Sequence, residues 1–326
     1  MRIAVTGANG HVGVNLCKAL LDLGHEVYAL SHKNTQGLKD LPVILMKGDV
    51  LDPRSLSLLL NKIDIVYHLA ARISISGDQD GMVRRINLEG TQNILNCALD
   101  NNVKRFIHFS SIHAFQQFPQ NQLLDETRPL VDLKGFAYDI SKASGERAVL
   151  EAVNKGLNAV ILSPTAIIGP SDPQPSLIGN AVLQFYHRKI PSLVPGGYNW
   201  VDVRDVVTGA VSAISKGRTG EKYLLAGHWH SLTEFSGLIQ HHSGKKTVKT
   251  ILPFWLARVG LPFIHFYSTV TGSKPLYTSE SLTILSEGNA LISHAKAKEE
   301  LGFTPRPFSD TIRDLLEWFG QQGYLN

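Results

Sequence analysis

The chain has 326 residues, of which 43% are hydrophobic and 18% charged, and its formal net charge is +4. That composition provides a large apolar core and excludes a disordered chain, and the length calls for a principal domain with a smaller one beside it. Basic residues are scattered without an aromatic-interleaved stripe, which argues against nucleic acid as a partner. The only two cysteines, Cys17 and Cys97, fall in helical patterns and read as buried thiols, not as a disulfide or metal framework.

In chain order, strand-like runs alternate with helical patterns. The strands are expected at Ile3–Val5, Glu26–Leu30, Val43–Lys47, Ile63–His68, Arg105–Ser110 and Ala159–Leu162. Helices are expected at Val14–Leu23, Asp52–Leu60, Asn87–Asp100 and Ser141–Asn154. This alternation predicts an α/β fold, a Rossmann-type doubly wound parallel sheet covered by helices on both faces. After Pro164 the prolines at 170, 173, 175, 191 and 195 break the chain into short pieces. The expected division is a dinucleotide-binding domain over 1–168 with part of 200–228, and a smaller substrate-binding domain from 169–199 and 229–326. The apolar stretch from Ile251 to Tyr267 is interrupted by Pro253, Arg258, Pro262 and His265, and is too short and broken for a membrane span. It reads as a buried or pocket-lining helix pair, with attachment to a membrane surface as the minor alternative. The N-terminus enters the first strand at once, leaving no room for a signal peptide, so the expected location is the cytoplasm.

Three constellations carry chemistry. The first strand runs into Gly7, Gly10 and Gly13 and then a helix, the geometry that receives a dinucleotide pyrophosphate. Tyr138 and Lys142 stand four apart at a helix start, so both side chains share one face, where an ammonium can lower the phenol's pKa. Ser110 and Ser111 end the fifth strand, at the edge where open α/β sheets bind ligands. The second strand ends in Ser31, His32 and Lys33, with no acid to accept ribose hydroxyls, which favours NADP over NAD as cofactor. Four histidines, His228, His230, His241 and His242, lack a spaced cysteine or carboxylate set, so no metal is expected.

With these residues in view, the chain resembles the extended short-chain dehydrogenase/reductases, of the NAD-dependent epimerase/dehydratase superfamily. The resemblance covers nearly the whole chain: Thr6-Gly7-Ala8-Asn9-Gly10-His11-Val12-Gly13, Gly48-Asp49-Val50, His68-Leu69-Ala70-Ala71, Asn87-Leu88-Glu89-Gly90-Thr91, Pro164-Thr165-Ala166-Ile167-Ile168-Gly169-Pro170, Val201-Asp202-Val203-Arg204-Asp205-Val206 and the tail Leu301-Gly302-Phe303-Thr304-Pro305. Ser111, Tyr138 and Lys142 match the catalytic trio. Pro175-Ser176-Leu177-Ile178 is similar to the dihydroflavonol 4-reductase-like group, while the Arg frequent before the Pro-Thr loop is Ser163 here. The resemblance implies that Gly7, Asn9, Gly10, His11, Val12, Gly13, Ser31, His32, Lys33, Asp49, Val50, Leu69, Ala70, Ala71, Asn87, Tyr138, Lys142, Pro164, Thr165, Ile167 and Ser176 bind the cofactor.

The implied reaction is NADP-dependent reduction of an aldehyde or ketone by hydride transfer, with Tyr138 as the acid. Phe185, Tyr186, Phe254, Trp255, Phe263 and Phe266 point to a small apolar substrate. His113 can reach that substrate or be a loop histidine bonded to backbone; Arg72 contacts an anionic substrate or faces solvent. An NAD-dependent sugar-nucleotide epimerase or dehydratase, and a non-catalytic NADP(H) sensor, remain as alternatives. The expected partners are a small molecule and a second copy of the chain in a homodimer.

Overall fold

In the computed structural model, which describes residues 1–32, 34–132, 134–271 and 277–326 (without the side chains of 263–271), the strands are β1 Arg2–Thr6, β2 Glu26–Ser31, β3 Ile44–Lys47, β4 Ile65–His68, β5 Arg105–Phe109, β6 Ala159–Pro164, β7 Ala166–Ile168, β8 Gly197–Asp202, β9 Lys222–Leu225 and β10 His228–Ser231. The helices are α1 His11–Asp22, α2 Pro53–Leu60, α3 Met82–Arg84, α4 Gly90–Asp100, α5 Ala137–Asn154, α6 Leu177–Tyr186, α7 Val203–Ser212, α8 Leu232–Ser243, α9 Phe254–Thr271, α10 Ser279–Glu287 and α11 Phe308–Gln321. Seven strands form one parallel sheet in the order β3-β2-β1-β4-β5-β6-β9, and β10-β8-β7 form a second, three-stranded sheet.

The central strands are apolar on both faces because helices cover both. Leu16, Cys17 and Leu20 of α1 and Val206 and Ala210 of α7 pack on one face with Ile3, Val5 and Tyr67. On the other, Leu56 and Leu59 of α2, Ile94 and Leu95 of α4 and Val149 of α5 meet Ala4, Val66 and Phe106. Burial of this kind contributes about 25 cal/mol per Å² and dominates the stability of such a sheet. Cys17 and Cys97 are both free and buried, and burial pushes the Cys17 thiol up to about 12, far from a reactive thiolate. A third cluster fills the second sheet, where Trp200 stacks on Phe235 at 4.9 Å and on Phe308 at 5.5 Å.

Three local differences from the sequence reading matter. The helix carrying Tyr138 and Lys142 begins at Ala137, so Tyr138 lies in its first turn. Residues 82–100 are continuously helical, with one turn widened to π geometry over Arg85–Glu89, which includes Asn87. The apolar stretch after 251 is one helix, α9, and it contains Pro262. Its Phe254, Ala257 and Leu261 pack on the third cluster, whereas Trp255, Leu256 and Val259 are exposed. No described helix is long and apolar enough to cross a membrane.

Candidate functional site

Strands β1, β4, β5 and β6 run parallel and end along one edge of the sheet, so their following loops converge there. One continuous cavity of about 1910 Å³ opens along that edge. At its centre Gly7 sits at φ +70°, and a Cβ there would lie 2.7 Å from the Ala70 nitrogen. Only glycine tolerates both the turn and the close approach of the β4 loop. A Cβ at Gly13 would strike the Gly7 carbonyl oxygen, so the helix is held tight against the turn. Gly10 differs: a Cβ there would meet nothing nearer than the Gly7 oxygen at 3.4 Å. Helix α1 begins here with no side-chain cap and no acid in its first turn. Its free amides and positive end therefore suit an anion such as a pyrophosphate.

The cavity wall around this cradle contains Gly7, Asn9, Gly10, His11, Val12 and Gly13 from the turn, and His32, Asp49 and Val50 from the ends of β2 and β3. Leu69, Ala70, Ala71, Pro164, Thr165, Ile167 and Ser176 continue it. Several of these side chains are already engaged. Asn9 Oδ1 accepts from the Gly37 amide at 2.8 Å and fixes the loop after β2. His11 Nε2 lies 3.1 Å from the Pro170 oxygen, and Ser176 caps α6 while donating to Asp172 at 2.8 Å. Asp49 Oδ2 stands 3.6 Å from His32 Nδ1, so a carboxylate faces the end of β2 after all. Ser31 is half-buried and does not reach the cavity wall. Lys33 lies outside the described residues.

Ser111, Tyr138, Lys142 and His113 meet in the middle of the same cavity. Ser111 follows β5, and its hydroxyl accepts from the His113 amide at 3.2 Å. Lys142 is buried and donates to the Phe109 carbonyl at 2.9 Å. Burial pulls its pKa down to about 8, against the opposing pull of Glu146. The lowering of the tyrosine expected from the lysine is not what the structure gives. Burial pushes Tyr138 up to about 12, the Ser111 hydroxyl acts downward, and neighbouring Asp139 adds to the rise. A phenol in that state stays protonated at any ordinary pH, so its proton is present to be donated, although burial makes it a weaker acid than free tyrosine.

Beneath this trio lies a polar chain that sequence reasoning missed. The Ala70 amide donates to Thr6 Oγ1 at 3.2 Å, Thr6 Oγ1 lies 2.8 Å from His68 Nδ1, His68 Nε2 lies 3.0 Å from Thr91 Oγ1, and Thr91 donates to the Asn87 carbonyl at 2.7 Å. Because the Thr91 proton is committed to Asn87, His68 donates from Nε2 and accepts at Nδ1. Burial first, and Lys142 second, hold its pKa down at about 3, so it is neutral. His108 stacks on it at 5.6 Å and is likewise held well below the usual imidazole range by burial.

Asn87 stands behind the cavity wall. Its amide oxygen accepts from the Arg72 amide at 2.7 Å, and its nitrogen donates to the Arg72 carbonyl at 3.0 Å and to Ser141 at 2.8 Å. Ser141 in turn donates to the Tyr138 carbonyl at 2.7 Å, so Asn87 ties the β4 loop to the catalytic turn of α5. The Arg72 side chain points away, pairing with Asp80 at 2.9 Å, and is absent from the cavity wall; a substrate contact is not what the structure gives it. His113 does line the cavity, with Nδ1 3.2 Å from Asp139 and its ring edge-on to Tyr138 at 5.9 Å. Ser163 is fully buried and donates to Glu146 at 3.2 Å, whose charge is met by Lys222 at 3.1 Å. A serine in that place therefore reports on the core and not on the substrate.

Beyond the trio the wall is mixed but mainly apolar: Ile73, Ile75, Ile112, Leu183, Phe185, Phe235, Tyr277, Ile284 and Leu285 line it together with Gln117, Asn180, Gln184, His187, Asn199, Ser281 and Asn289. Lys189 is the only Lys or Arg besides Lys142 among the described residues that line the cavity. Of the aromatics expected there, Phe185 lines it, Tyr186 and Phe254 pack into the core, and Trp255 faces outward. The Phe263 and Phe266 side chains lie outside the described part.

Residues 3–226 match the model of the NAD dependent epimerase/dehydratase family. The chain belongs to that family. It is 30% identical over the full length of both chains to "Sterol demethylase protein B" of Methylococcus capsulatus. It is 32% identical to "Putative dihydroflavonol 4-reductase" of Synechocystis, over 98% of this chain and 95% of that one. Among solved structures, the crystal structure of gox2253 superposes with a TM-score of 0.85 at 30% identity, covering 99% of both chains. UDP-glucuronic acid 4-epimerase from Bacillus cereus, in complex with UDP-glucuronic acid and NAD, shares the fold with a TM-score of 0.78 at 23% identity, covering 99% of this chain and all of that one. The chain is thus an extended short-chain enzyme of an NAD(P)-binding oxidoreductase/epimerase superfamily.

Proposed function

We propose that this enzyme reduces the carbonyl of a small apolar aldehyde or ketone, with NADPH as hydride donor. The observation that carries this reading is the substrate half of the cavity. Its wall is richer in aliphatic and aromatic side chains than in polar ones, which include Gln117, Asn180, Gln184, His187 and Asn199, and Lys189 is its single Lys or Arg among the described residues. A sugar nucleotide would bring two phosphate charges there and find too few cations to meet them. An apolar carbonyl compound gains from burial against the same wall. The reductase name of one full-length relative supports reduction, and the sterol in the name of another supports an apolar substrate.

The bound nicotinamide cofactor supplies the hydride. The α1 amides and the Gly7–Gly13 turn would hold its pyrophosphate, and Lys142 its nicotinamide ribose. Tyr138 donates its phenolic proton to the substrate oxygen, and Ser111 hydrogen-bonds the same oxygen and orients it. With its pKa raised to about 12, Tyr138 carries its proton at neutral pH, the form that the reductive step needs. The acid-free end of β2 supports NADPH over NADH, and the pairing of His32 with Asp49 keeps that preference moderate.

The test is a panel of apolar carbonyl compounds followed by NADPH and NADH absorbance. The reading expects protein that purifies largely free of cofactor and consumes NADPH stoichiometrically with its substrate. Tightly held NAD, with interconversion of sugar nucleotides at constant absorbance, would replace it with the epimerase.

A further inference from the structure

The +4 charge of the chain is unevenly placed. Between Glu234 and Glu280 there is no Asp or Glu, while Lys245, Lys246, Lys249, Arg258 and Lys274 all lie there, so the rest of the chain is close to neutral. The same segment presents an apolar surface to solvent. Trp255 is 67% exposed, Val259 61%, Ile251 48% and Leu256 38%. Trp255, Leu256 and Val259 lie at helical spacings of one, three and four on α9, so they form one outward face. The opposite face, Phe254, Ala257 and Leu261, packs on the cluster that also contains the cavity residues Phe185, Phe235 and Leu285. Lys246, Lys249 and Arg258 are exposed and make no ion pair with any described residue, whereas Lys245 lies over the Tyr186 ring at 4.1 Å.

An exposed tryptophan and aliphatic stripe, in a segment whose exposed cations form no ion pair with a described residue and whose sequence holds no acid between Glu234 and Glu280, has the character of a helix that lies in a lipid interface. Its polar anchors suit an anionic headgroup layer, and an amphipathic tryptophan suits the boundary between headgroups and chains. We propose that the exposed face of α9 docks the enzyme on an anionic bilayer surface, lying in the interface without crossing it. The docked helix backs directly onto the cluster that walls the substrate half of the cavity, which places the enzyme where an apolar substrate dissolves. This last step rests on the proposed function, whereas the docking itself does not.

The experiment uses the full chain without cofactor or substrate, so its outcome is separate from that of the enzymatic reading. Co-sedimentation is measured with vesicles of phosphatidylcholine alone and of phosphatidylcholine mixed equally with phosphatidylglycerol. The protein should sediment with the mixed vesicles, stay free of the neutral ones, and be released by high salt. Lys246→Gln, Lys249→Gln and Arg258→Gln together should lower the partition coefficient at least tenfold, since each surface cation contributes roughly fivefold. Trp255→Ser with Val259→Ser should lower it similarly, with the thermal melt checking that the variant folds. Quenching of tryptophan fluorescence by brominated lipid should be seen in the wild type and lost in Trp255→Phe. Absence of binding to mixed vesicles, binding unchanged in both sets of variants, or a solution dimer dissociated by Val259→Asp would each overturn the proposal.

Discussion

The two halves of the cavity are built from different material. The cofactor half is mostly backbone: a glycine turn, an uncapped helix start and the ends of adjacent parallel strands, largely within residues 7–13 and 69–71. The substrate half is made of side chains brought together from residues 73–86, 112–117, 177–189, 197–200, 232–235 and 277–292. A backbone site admits few sequences, because a Cβ at Gly7 or Gly13 has nowhere to go. A side-chain site keeps its shape while its residue types change, so one scaffold serves many substrates. Chemistry is concentrated at the seam, where Ser111, Tyr138 and Lys142 face both halves.

The seam is where perturbation has the largest effect. Tyr138→Phe removes the transferable proton and nothing else, so turnover should fall by about 10²–10⁴ while cofactor affinity, read by calorimetry, stays within a few-fold. Retention of more than about a tenth of the wild-type rate would assign the proton to another group.

Lys142 should separate function from stability. Because burial lowers its pKa from 10.5 to about 8, the folded state disfavours the ammonium. The penalty is absent above the unfolded pKa, grows as pH falls toward the folded one, and is constant below it. Lys142→Met should therefore stabilise the protein by about 2 kcal/mol at pH 7, after allowing about 1 kcal/mol for the bond lost to the Phe109 carbonyl. That gain should vanish in melts above the unfolded lysine pKa, and activity should be lost by about 10²-fold or more. In the wild type, reductive turnover should decline as pH rises through about 8, the value held by Lys142, with Tyr138 still protonated. A destabilised Lys142→Met, or turnover undiminished well above that pH, would break the assignment.

How much of this was legible in the sequence follows from the same contrast. Gly7, Gly10 and Gly13, the Tyr138–Lys142 spacing and the strand ends are local patterns, and local patterns set local backbone. Helix starts were displaced by a few residues, because α5 begins at Ala137 without a side-chain cap to mark it. The Thr6–His68–Thr91 chain was out of reach, since its bonds join positions 62 and 23 residues apart. The sequence leaves Arg72 open between an anionic substrate and solvent, and marks Ser163 only as standing where the family often has Arg; their partners, Asp80 and Glu146, are not local in the sequence and could not be read from it. Trp255 was placed in the pocket by composition alone, and the helical phase of α9 turns it outward.

Smaller effects sharpen the boundary further. Thr91→Val leaves the His68 Nε2 proton without a partner in a buried site and should cost about 1–3 kcal/mol of stability, measured by denaturant unfolding. A change below about 0.5 kcal/mol would show that the chain does not hold His68 in its tautomer. His32, unlike Ser31, lines the cavity, so His32→Asp adds an acceptor for ribose hydroxyls and repels a phosphate, and the ratio of NADPH to NADH affinity should fall about tenfold. Equal affinity of the unmodified protein for the two cofactors would remove the basis of the NADPH assignment.

The most direct test of the account is isotopic. The enzyme is incubated with NADPH carrying deuterium at the transferable position and with an apolar carbonyl substrate, and the product is weighed by mass spectrometry. The account predicts an alcohol heavier by one mass unit, with one NADPH consumed for each molecule formed. A product without label, or isomerisation of a substrate with no net loss of NADPH, would contradict it.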